Sequence, residues 1–204
     1  MQRILHPLWL IVLLLIGQGL FAQNSLSKAE RQKAISHLKN SQKELFNSIK
    51  GLSDEQLNFK PNKDAWSIAE CVEHITKSEK GLFGLAQASL EGESQPELRK
   101  ELKYSDEQIV EIITDRSFKA QAPAEQTPNN DFGSFSGTKS EFKKLRKQSI
   151  KFVKSSDADM RNHFFDFPFG KVDSYQLIMF MSGHSVRHTK QIKEILADAS
   201  FPAK

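Results

Sequence analysis

Residues 173–197 read DSYQLIMFMSGHSVRHTKQIKEILA, and their spacing predicts an amphipathic helix from near Asp173-Ser174 to near Ala197. A turn of about 100° per residue places His184 and His188 on the same face of this helix. That face also carries Leu177, Met181, Gln191 and Ile195, whereas Lys190 and Lys193 fall on the other side. Because this face is mostly apolar, we expect both imidazoles to point into a helical bundle.

Three further stretches have the spacing of amphipathic helices. They run from Ser27 to Gly51, from about Ala65 to about Leu90, and from Lys139 to Lys154. The first opens with the capping-box pattern Ser27-Lys28-Ala29-Glu30, in which the Ser hydroxyl and the Glu carboxylate satisfy free backbone amides. The second is closed by Gly92. Four amphipathic helices of this kind predict a bundle.

The remaining segments are expected to connect these helices. Residues 105–117 are compatible with a short additional helix, and residues 120–137 are expected to form a loop. Residues 162–170, NHFFDFPFG, are interpreted as an aromatic loop that covers one end of the bundle. Since no stretch shows sustained apolar and polar alternation, and no Asn-Gly or Asp-Gly turn separates apolar runs, the predicted fold class is all-α.

His74 lies on the second predicted helix. The same angular count aligns it with an inward stripe made of Ser67, Cys71, Ser78, Leu82 and Leu85. Glu73, Lys77 and Lys80 are expected on the opposite, solvent-facing side. His74 is therefore expected to point into the bundle, as His184 and His188 do.

Three inward histidines on two facing helices are typical of a metal site in a helical bundle. Neutral imidazole binds Zn²⁺ or Ni²⁺ at about 2.0–2.1 Å, and an i, i+4 pair converges on one ion without distorting its helix. Three protein ligands leave a fourth position open, which is the arrangement of catalytic rather than structural zinc sites. The alternative is that the histidines are hydrogen-bonded core residues that coordinate nothing. His37 and His163 do not fit the ligand pattern.

Composition excludes several classes of protein. The chain has 204 residues with 29 basic and 25 acidic side chains, and this small excess is dispersed, so no basic patch indicates nucleic-acid binding. With one cysteine, Cys71, neither an intramolecular disulfide nor a cysteine-based zinc motif can form. Any metal must therefore be held by His, Asp or Glu.

The N-terminus predicts export. Arg3 precedes an unbroken apolar run from Leu8 to Ile16, and a small residue, Ala22, follows at a suitable cleavage position. The run is shorter than the roughly 20 apolar residues that a spanning helix needs. We therefore predict a signal peptide over residues 1–22, a single domain over residues 23–204, and a periplasmic or secreted protein without stable membrane insertion after cleavage. An uncleaved anchor is the alternative.

Four motifs resemble the DinB/YfiT-like superfamily of metalloenzymes. They are LSDEQL (52–57), WSIAECVEHI (66–75), FG (169–170) and HSVRHTKQI (184–192), and together they extend over nearly the whole predicted mature chain. The resemblance implies a four-helix bundle with one divalent metal, commonly nickel or zinc. It also implies that His74, His184 and His188 are the metal ligands.

The resemblance leaves the reaction open. Characterised members include transferases and isomerases that use low-molecular-weight thiols, whereas the predicted export separates this chain from a reduced thiol pool. We therefore expect an exported metal-dependent hydrolase or transferase acting on a small molecule. The alternative is a non-catalytic bundle that binds a metal or another ligand. A homodimer is compatible with the sequence, which does not determine the oligomeric state.

Three neighbours of the histidines are candidates for supporting roles. Glu70 could accept the second ring N–H of His74 or act as a base, or could be a solvated carboxylate on the helix flank. Cys71 could be a fourth ligand or a redox group, although an inward cysteine is usually a small core residue. Arg187 could bind an anionic substrate or form a surface salt bridge.

Overall fold

The computed structural model describes residues 25–118 and 121–203. The predicted signal peptide, residues 1–22, lies outside the described residues. Six α-helices and two strands follow one another in the order α1 Lys28–Ser48, α2 Asp54–Asn58, α3 Ile68–Ala88, α4 Asp106–Thr114, α5 Phe135–Ser155, β1 Phe164–Phe167, β2 Gly170–Asp173 and α6 Ser174–Leu196. Among these helices, none combines the length and the apolar character needed to cross a lipid bilayer.

The predicted four-helix bundle is confirmed, with α1, α3, α5 and α6 as its long helices. Capping boxes set where three of them begin: Ser27 with Glu30 in α1, Ser67 with Glu70 in α3, and Asp173 with Gln176 in α6. Helix α5 starts four residues earlier than predicted, within the stretch 120–137 that was expected to form a loop. The Ser134 hydroxyl accepts a hydrogen bond from the Gly137 amide and so caps this first turn.

The short helix α4 is the predicted additional helix, and it packs against the outside of α6. Their contact is close at Gly183, where an added Cβ atom would lie only 2.3 Å from Cγ2 of Ile113. Glycine at this position therefore lets α4 approach α6 one residue before His184. This approach brings the Ile113 side chain towards the histidine-bearing face of the bundle.

Residues 164–173 form an antiparallel hairpin, so the interpretation of residues 162–170 as a loop was wrong. The register pairs Phe164 with Asp173 and Phe167 with Gly170. Strands of four residues are too short to display an alternating pattern, and the turn uses Pro168-Phe169 rather than Asn-Gly. Gly170 adopts a positive φ of 139°, which favours glycine over other residues. The hairpin directs Phe167 onto Phe180 of α6, with ring centroids 5.0 Å apart.

A buried ion pair lies at the centre of the bundle. The Arg146 guanidinium on α5 donates to both carboxylate oxygens of Glu79 on α3, at 2.7 and 2.8 Å, and both side chains are fully buried. It also donates to the Leu38 carbonyl and Ser41 hydroxyl on α1 and to the Ser185 hydroxyl on α6. One guanidinium thus connects all four long helices.

Replacing Glu79 with Ala should destabilise the fold strongly, because it leaves a buried guanidinium without its counter-charge. We expect the free energy of unfolding to fall by about 3–5 kcal/mol. Glu141→Ala, which removes an exposed ion pair with Lys144, is the control and should cost less than about 1 kcal/mol. Urea denaturation measures both, and a similar small loss in the two variants would contradict this view of the core.

Candidate metal centre

The imidazole rings of His74, His184 and His188 meet inside the bundle. The Nε2 atom of His184 lies 3.3 Å from Nε2 of His74 and 3.2 Å from Nε2 of His188. One ring nitrogen from each of the three lies within 4.8 Å of the other two. His74 comes from α3 and the others from successive turns of α6, so the packing of α3 against α6 brings the three rings together.

Hydrogen bonds orient two of the rings. Nδ1 of His74 lies 2.8 Å from the Gln126 backbone carbonyl, and Nδ1 of His188 lies 2.8 Å from Oε1 of Gln191. Since both oxygens can only accept, each Nδ1 carries the proton of the neutral ring. The Nε2 atoms of His74 and His188 therefore present lone pairs towards His184.

These lone pairs make the cluster a good match for a cation. Neutral His184 can donate from Nε2 to only one of its two neighbours, which leaves another pair of ring nitrogens without a shared proton. A single positive ion could accept all three lone pairs. A tetrahedral zinc ion with Zn–N bonds of about 2.0–2.1 Å separates neighbouring nitrogens by roughly 3.3 Å. The observed separations of 3.2 and 3.3 Å fit that requirement.

The surroundings keep the three rings neutral. Burial lowers the pKa of His74 below its ordinary value, although the hydrogen bond to the Gln126 carbonyl opposes this effect, and the nearby charge of Lys77 also lowers the pKa. Burial also lowers the pKa of His188 to about 3 and, together with the neighbouring histidines, lowers the pKa of His184 well below its ordinary value. Metal binding requires neutral imidazole, so this environment favours it at physiological pH.

Aromatic side chains enclose the rings. Trp66, just before α3, lies with its ring centroid 4.7 Å from that of His74 and 6.0 Å from that of His188. Phe180 lies one turn before His184, nearly parallel to it at a centroid separation of 6.4 Å. These rings limit the access of water to the histidines and hold the imidazole planes in place.

Glu70 serves the helix rather than the histidines. Its carboxylate accepts the Ser67 amide at 2.8 Å, completing the capping box of α3, and accepts from Nζ of Lys60 at 2.7 Å. The ring N–H of His74 donates to Gln126 instead. The suggested hydrogen bond from His74 to Glu70 is therefore not formed.

Cys71 is a core residue. It is fully buried and packs among apolar side chains of α1, α3 and α6 that include Leu45 and Ile192. Burial raises the pKa of its thiol to about 12, so the reactive thiolate is disfavoured. The group of residues able to share an ion, within the described part of the chain, consists of the three histidines and does not include Cys71.

Arg187 is buried and holds a connecting segment in place. Its guanidinium donates to the backbone carbonyls of Asp115 and Phe118, and the Phe118 ring lies 4.9 Å from it. The side chain also lines the cavity beside the histidines. Neither of these contacts is the surface salt bridge that the sequence left open as an alternative.

Glu73 and Lys77 hold the loop that carries Gln126, and the expectation that both face solvent was wrong. Glu73 is buried and accepts the backbone amides of Asn129 and Asp131 at 3.1 and 2.9 Å. Lys77 donates to the Thr127 carbonyl and pairs with the Asp131 carboxylate at 2.6 Å. Sequence spacing gave no sign of this role, because the loop comes from more than 50 residues away.

Gln126 is the supporting residue that the sequence analysis missed. Its backbone carbonyl orients His74, and its side-chain oxygen accepts from the Ser78 hydroxyl at 2.8 Å. A backbone carbonyl carries no residue-type signal, so nothing in the sequence marks this contact in advance. The loop thereby completes the orientation of the ligand that α3 supplies.

Comparison with known proteins gives a consistent result. The DinB superfamily matches residues 37–192. The protein YuaE of Bacillus subtilis (strain 168) is 34% identical over 153 residues, which covers 74% of this chain and 90% of YuaE. YfiT from Bacillus subtilis, described as a probable metal-dependent hydrolase with an unusual four-helix bundle topology, has the same fold. Its TM-score is 0.55 at 18% identity, with 84% of this chain and 88% of YfiT covered.

The metal-free protein should lose stability in mild acid. Below about pH 6.5 the unfolded chain protonates its histidines, whereas the folded chain resists protonation at His188 until about pH 3. The unfolded state therefore binds more protons, and the free energy of unfolding falls as the pH is lowered through this range. Urea denaturation with a chelator present should show a weaker decline for His188→Gln. Lys190→Gln, an exposed change on the same helix, is the control, and equal declines in all three proteins would contradict the prediction.

Proposed function

The chain belongs to the DinB superfamily, and we propose that it is a metal-dependent hydrolase whose ligands are His74, His184 and His188. The observation that carries this proposal is the convergence of three ring nitrogens within 4.8 Å of one another, with His184 Nε2 at 3.3 and 3.2 Å from the other two, which is close to the nitrogen spacing around a tetrahedral ion. The description of YfiT as a probable metal-dependent hydrolase supports the same reaction class. A divalent ion bound there would supply Lewis acidity, which lowers the pKa of water and polarises a carbonyl or phosphoryl oxygen.

The residues of the chain prepare this chemistry in three ways. Gln126 and Gln191 fix the tautomers of His74 and His188, so that two ligand lone pairs point inward before any ion arrives. Trp66 and Phe180 exclude bulk water from the imidazoles and strengthen electrostatic interactions within the site. The cavity beside the rings gives a small molecule access to the side that the protein leaves open.

The donor set favours nickel or zinc over magnesium or calcium. Three imidazoles without a carboxylate are borderline-soft ligands, whereas magnesium and calcium select oxygen. Between nickel and zinc the choice depends on supply as well as affinity. Metal analysis of protein purified without a histidine tag would distinguish them.

Export is part of the same proposal. Residues 1–22 have the layout of a signal peptide, and removal would leave the domain in the periplasm or outside the cell. A reduced thiol pool is a feature of the cytosol, so export favours hydrolysis over thiol transfer. The exported protein should begin at Gln23, which N-terminal sequencing of the extracytoplasmic fraction measures. Intact protein retained in the cytosol would contradict this part of the proposal.

A metal bound only for stability is the second candidate function. A bundle of four helices often has an independent core, and here the hydrogen bonds of Arg146 include none of the three histidines. Loss of the ion from a catalytic site should therefore change activity much more than stability. Loss from a structural site should lower the melting temperature sharply.

Replacing His184 with Ala tests the two candidates directly. We expect bound metal to fall from about one ion per chain to less than a tenth of that, because two ligands hold an ion poorly. Circular dichroism should show the helix content unchanged. His37→Ala, at a half-buried position of α1 outside the histidine cluster, is the control and should retain the ion. Metal content is measured by mass spectrometry after dialysis.

Hydrolytic activity follows metal content if the proposal is correct. A screen of ester, amide and phosphoester substrates with the metal-loaded protein should identify turnover that His184→Ala loses and His37→Ala keeps. Full metal retention by His184→Ala would overturn the ligand assignment. A large drop in melting temperature without turnover of any substrate would favour the structural alternative.

A further inference from the structure

A cavity, called the chamber below, lies beside the three imidazoles. The size and polarity of the side chains that line it determine which ligands can bind there. We propose that this chamber binds one uncharged aryl group of the substrate and holds the adjoining ester or amide carbonyl beside His74, His184 and His188. The inference rests on the proposed function, because it names the substrate class of the same site. Its evidence is the composition, size and charge of the chamber.

Apolar side chains form most of the chamber wall. They are Trp66, Leu82, Ile113, Phe118, Ala122, Pro123, Phe167 and Phe180. Phe167 stacks on Phe180 at 5.0 Å, and Phe180 is nearly parallel to His184, so a row of rings leads from the hairpin to the candidate ligands. Offset and edge-on packing against such a row favours a planar aromatic guest.

The volume of the chamber limits the guest to about one ring. It measures about 250 Å³, whereas an apolar protein cavity of about 150 Å³ already holds benzene. A phenyl ring with a carbonyl-bearing substituent therefore fits. Phe118, which is 48% exposed, is part of the lining, so this side of the chamber is in contact with solvent.

The charges around the chamber argue against an ionised guest. Among the described residues, the lining contains no acidic side chain, so a cationic group would lose its hydration without gaining a partner there. Arg187 is the cation of this described lining, but its guanidinium already donates to two backbone carbonyls and lies against the Phe118 ring. An uncharged aryl group requires no such compensation.

A second, more polar cavity adjoins the chamber and can bind the rest of the substrate. It has a volume of about 740 Å³ and shares Trp66, Gln121, Ala122, Arg187 and His188 with the inner chamber. Its wall includes the Arg116–Glu194 ion pair and Asp64. A substrate that extends past His188 from one cavity into the other would thus place its apolar group in the chamber and its polar leaving group in the second cavity.

The reaction needs no reactant besides water. In an ester or amide R–CO–X–R′, the oxygen of water bonds to the carbonyl carbon and the C–X bond breaks. One proton of the water passes to X, which gives R–COOH and HX–R′. R is the aryl-bearing group in the chamber, and X–R′ leaves through the polar cavity.

Binding to the chamber can be measured without any metal. The chain has two tryptophans, so Trp9→Phe in the full chain makes Trp66 fluorescence a report on the chamber wall. With a chelator present, phenylacetamide should change this fluorescence saturably, at a concentration at least about tenfold lower than acetamide, because only the former buries a ring. No saturation with phenylacetamide would overturn the proposal.

Two alanines in the connection between α4 and α5, Ala122 and Ala124, provide a matched pair of variants. Ala122 lies where the chamber and the polar cavity meet, so Ala122→Phe should obstruct the chamber and weaken phenylacetamide binding by about tenfold or more. Ala124 is exposed and does not line either cavity, so Ala124→Phe should bind as the parent does. Phe118→Ala, at an exposed position, gives a second test and should weaken binding severalfold. Equal binding by all variants would place the ligand elsewhere and overturn the proposal.

Turnover separates this inference from the proposed function. With metal-loaded protein, kcat/KM should be at least about tenfold higher for methyl phenylacetate than for methyl acetate or monomethyl succinate, and Ala122→Phe should remove the preference. Saturable phenylacetamide binding without turnover of any substrate would support the chamber and refute the hydrolase. Turnover without aryl preference, or with preference for the succinate ester, would refute the chamber and leave the hydrolase.

Discussion

The Arg146 guanidinium is the interaction on which the rest of the structure depends. It binds Glu79 on α3 and Ser185 on α6, and Ser185 is the immediate neighbour of His184. A buried charge tolerates little displacement of its partners, because a lost partner leaves an uncompensated ion. Through these two partners, the Arg146 side chain constrains the position of α3 relative to α6. That relation in turn places His74 opposite His184 and His188.

The candidate metal centre next to this core is built from both helical and loop residues. Helices supply the three imidazoles, whereas the loop that Glu73 and Lys77 hold supplies the Gln126 carbonyl that orients one of them. Converging neutral lone pairs are unfavourable in the absence of a cation, and the protein maintains them through surrounding packing and hydrogen bonds. The same arrangement leaves one side of the imidazoles facing an apolar chamber.

Helical periodicity accounted for most of what could be predicted. It identified the four long helices, and the inward faces of His74 and His184 follow from counting along single helices. It was wrong about Glu73, because a carboxylate on the far side of a helix was assumed to meet solvent rather than a returning loop. It also missed the hairpin over 164–173, whose strands are too short to show a pattern.

The sequence by itself determined the helices, their apolar faces and the three histidines, since each depends on residues only a few positions apart. Only the tertiary structure decided the distance from His74 Nε2 to His184 Nε2, the partner of His74 Nδ1 and the shape of the chamber. Those features join segments more than 40 residues apart, such as His74 with Gln126 and His184. Their geometry depends on how helices and loops pack together, and the spacing of residues along the sequence does not predict that packing.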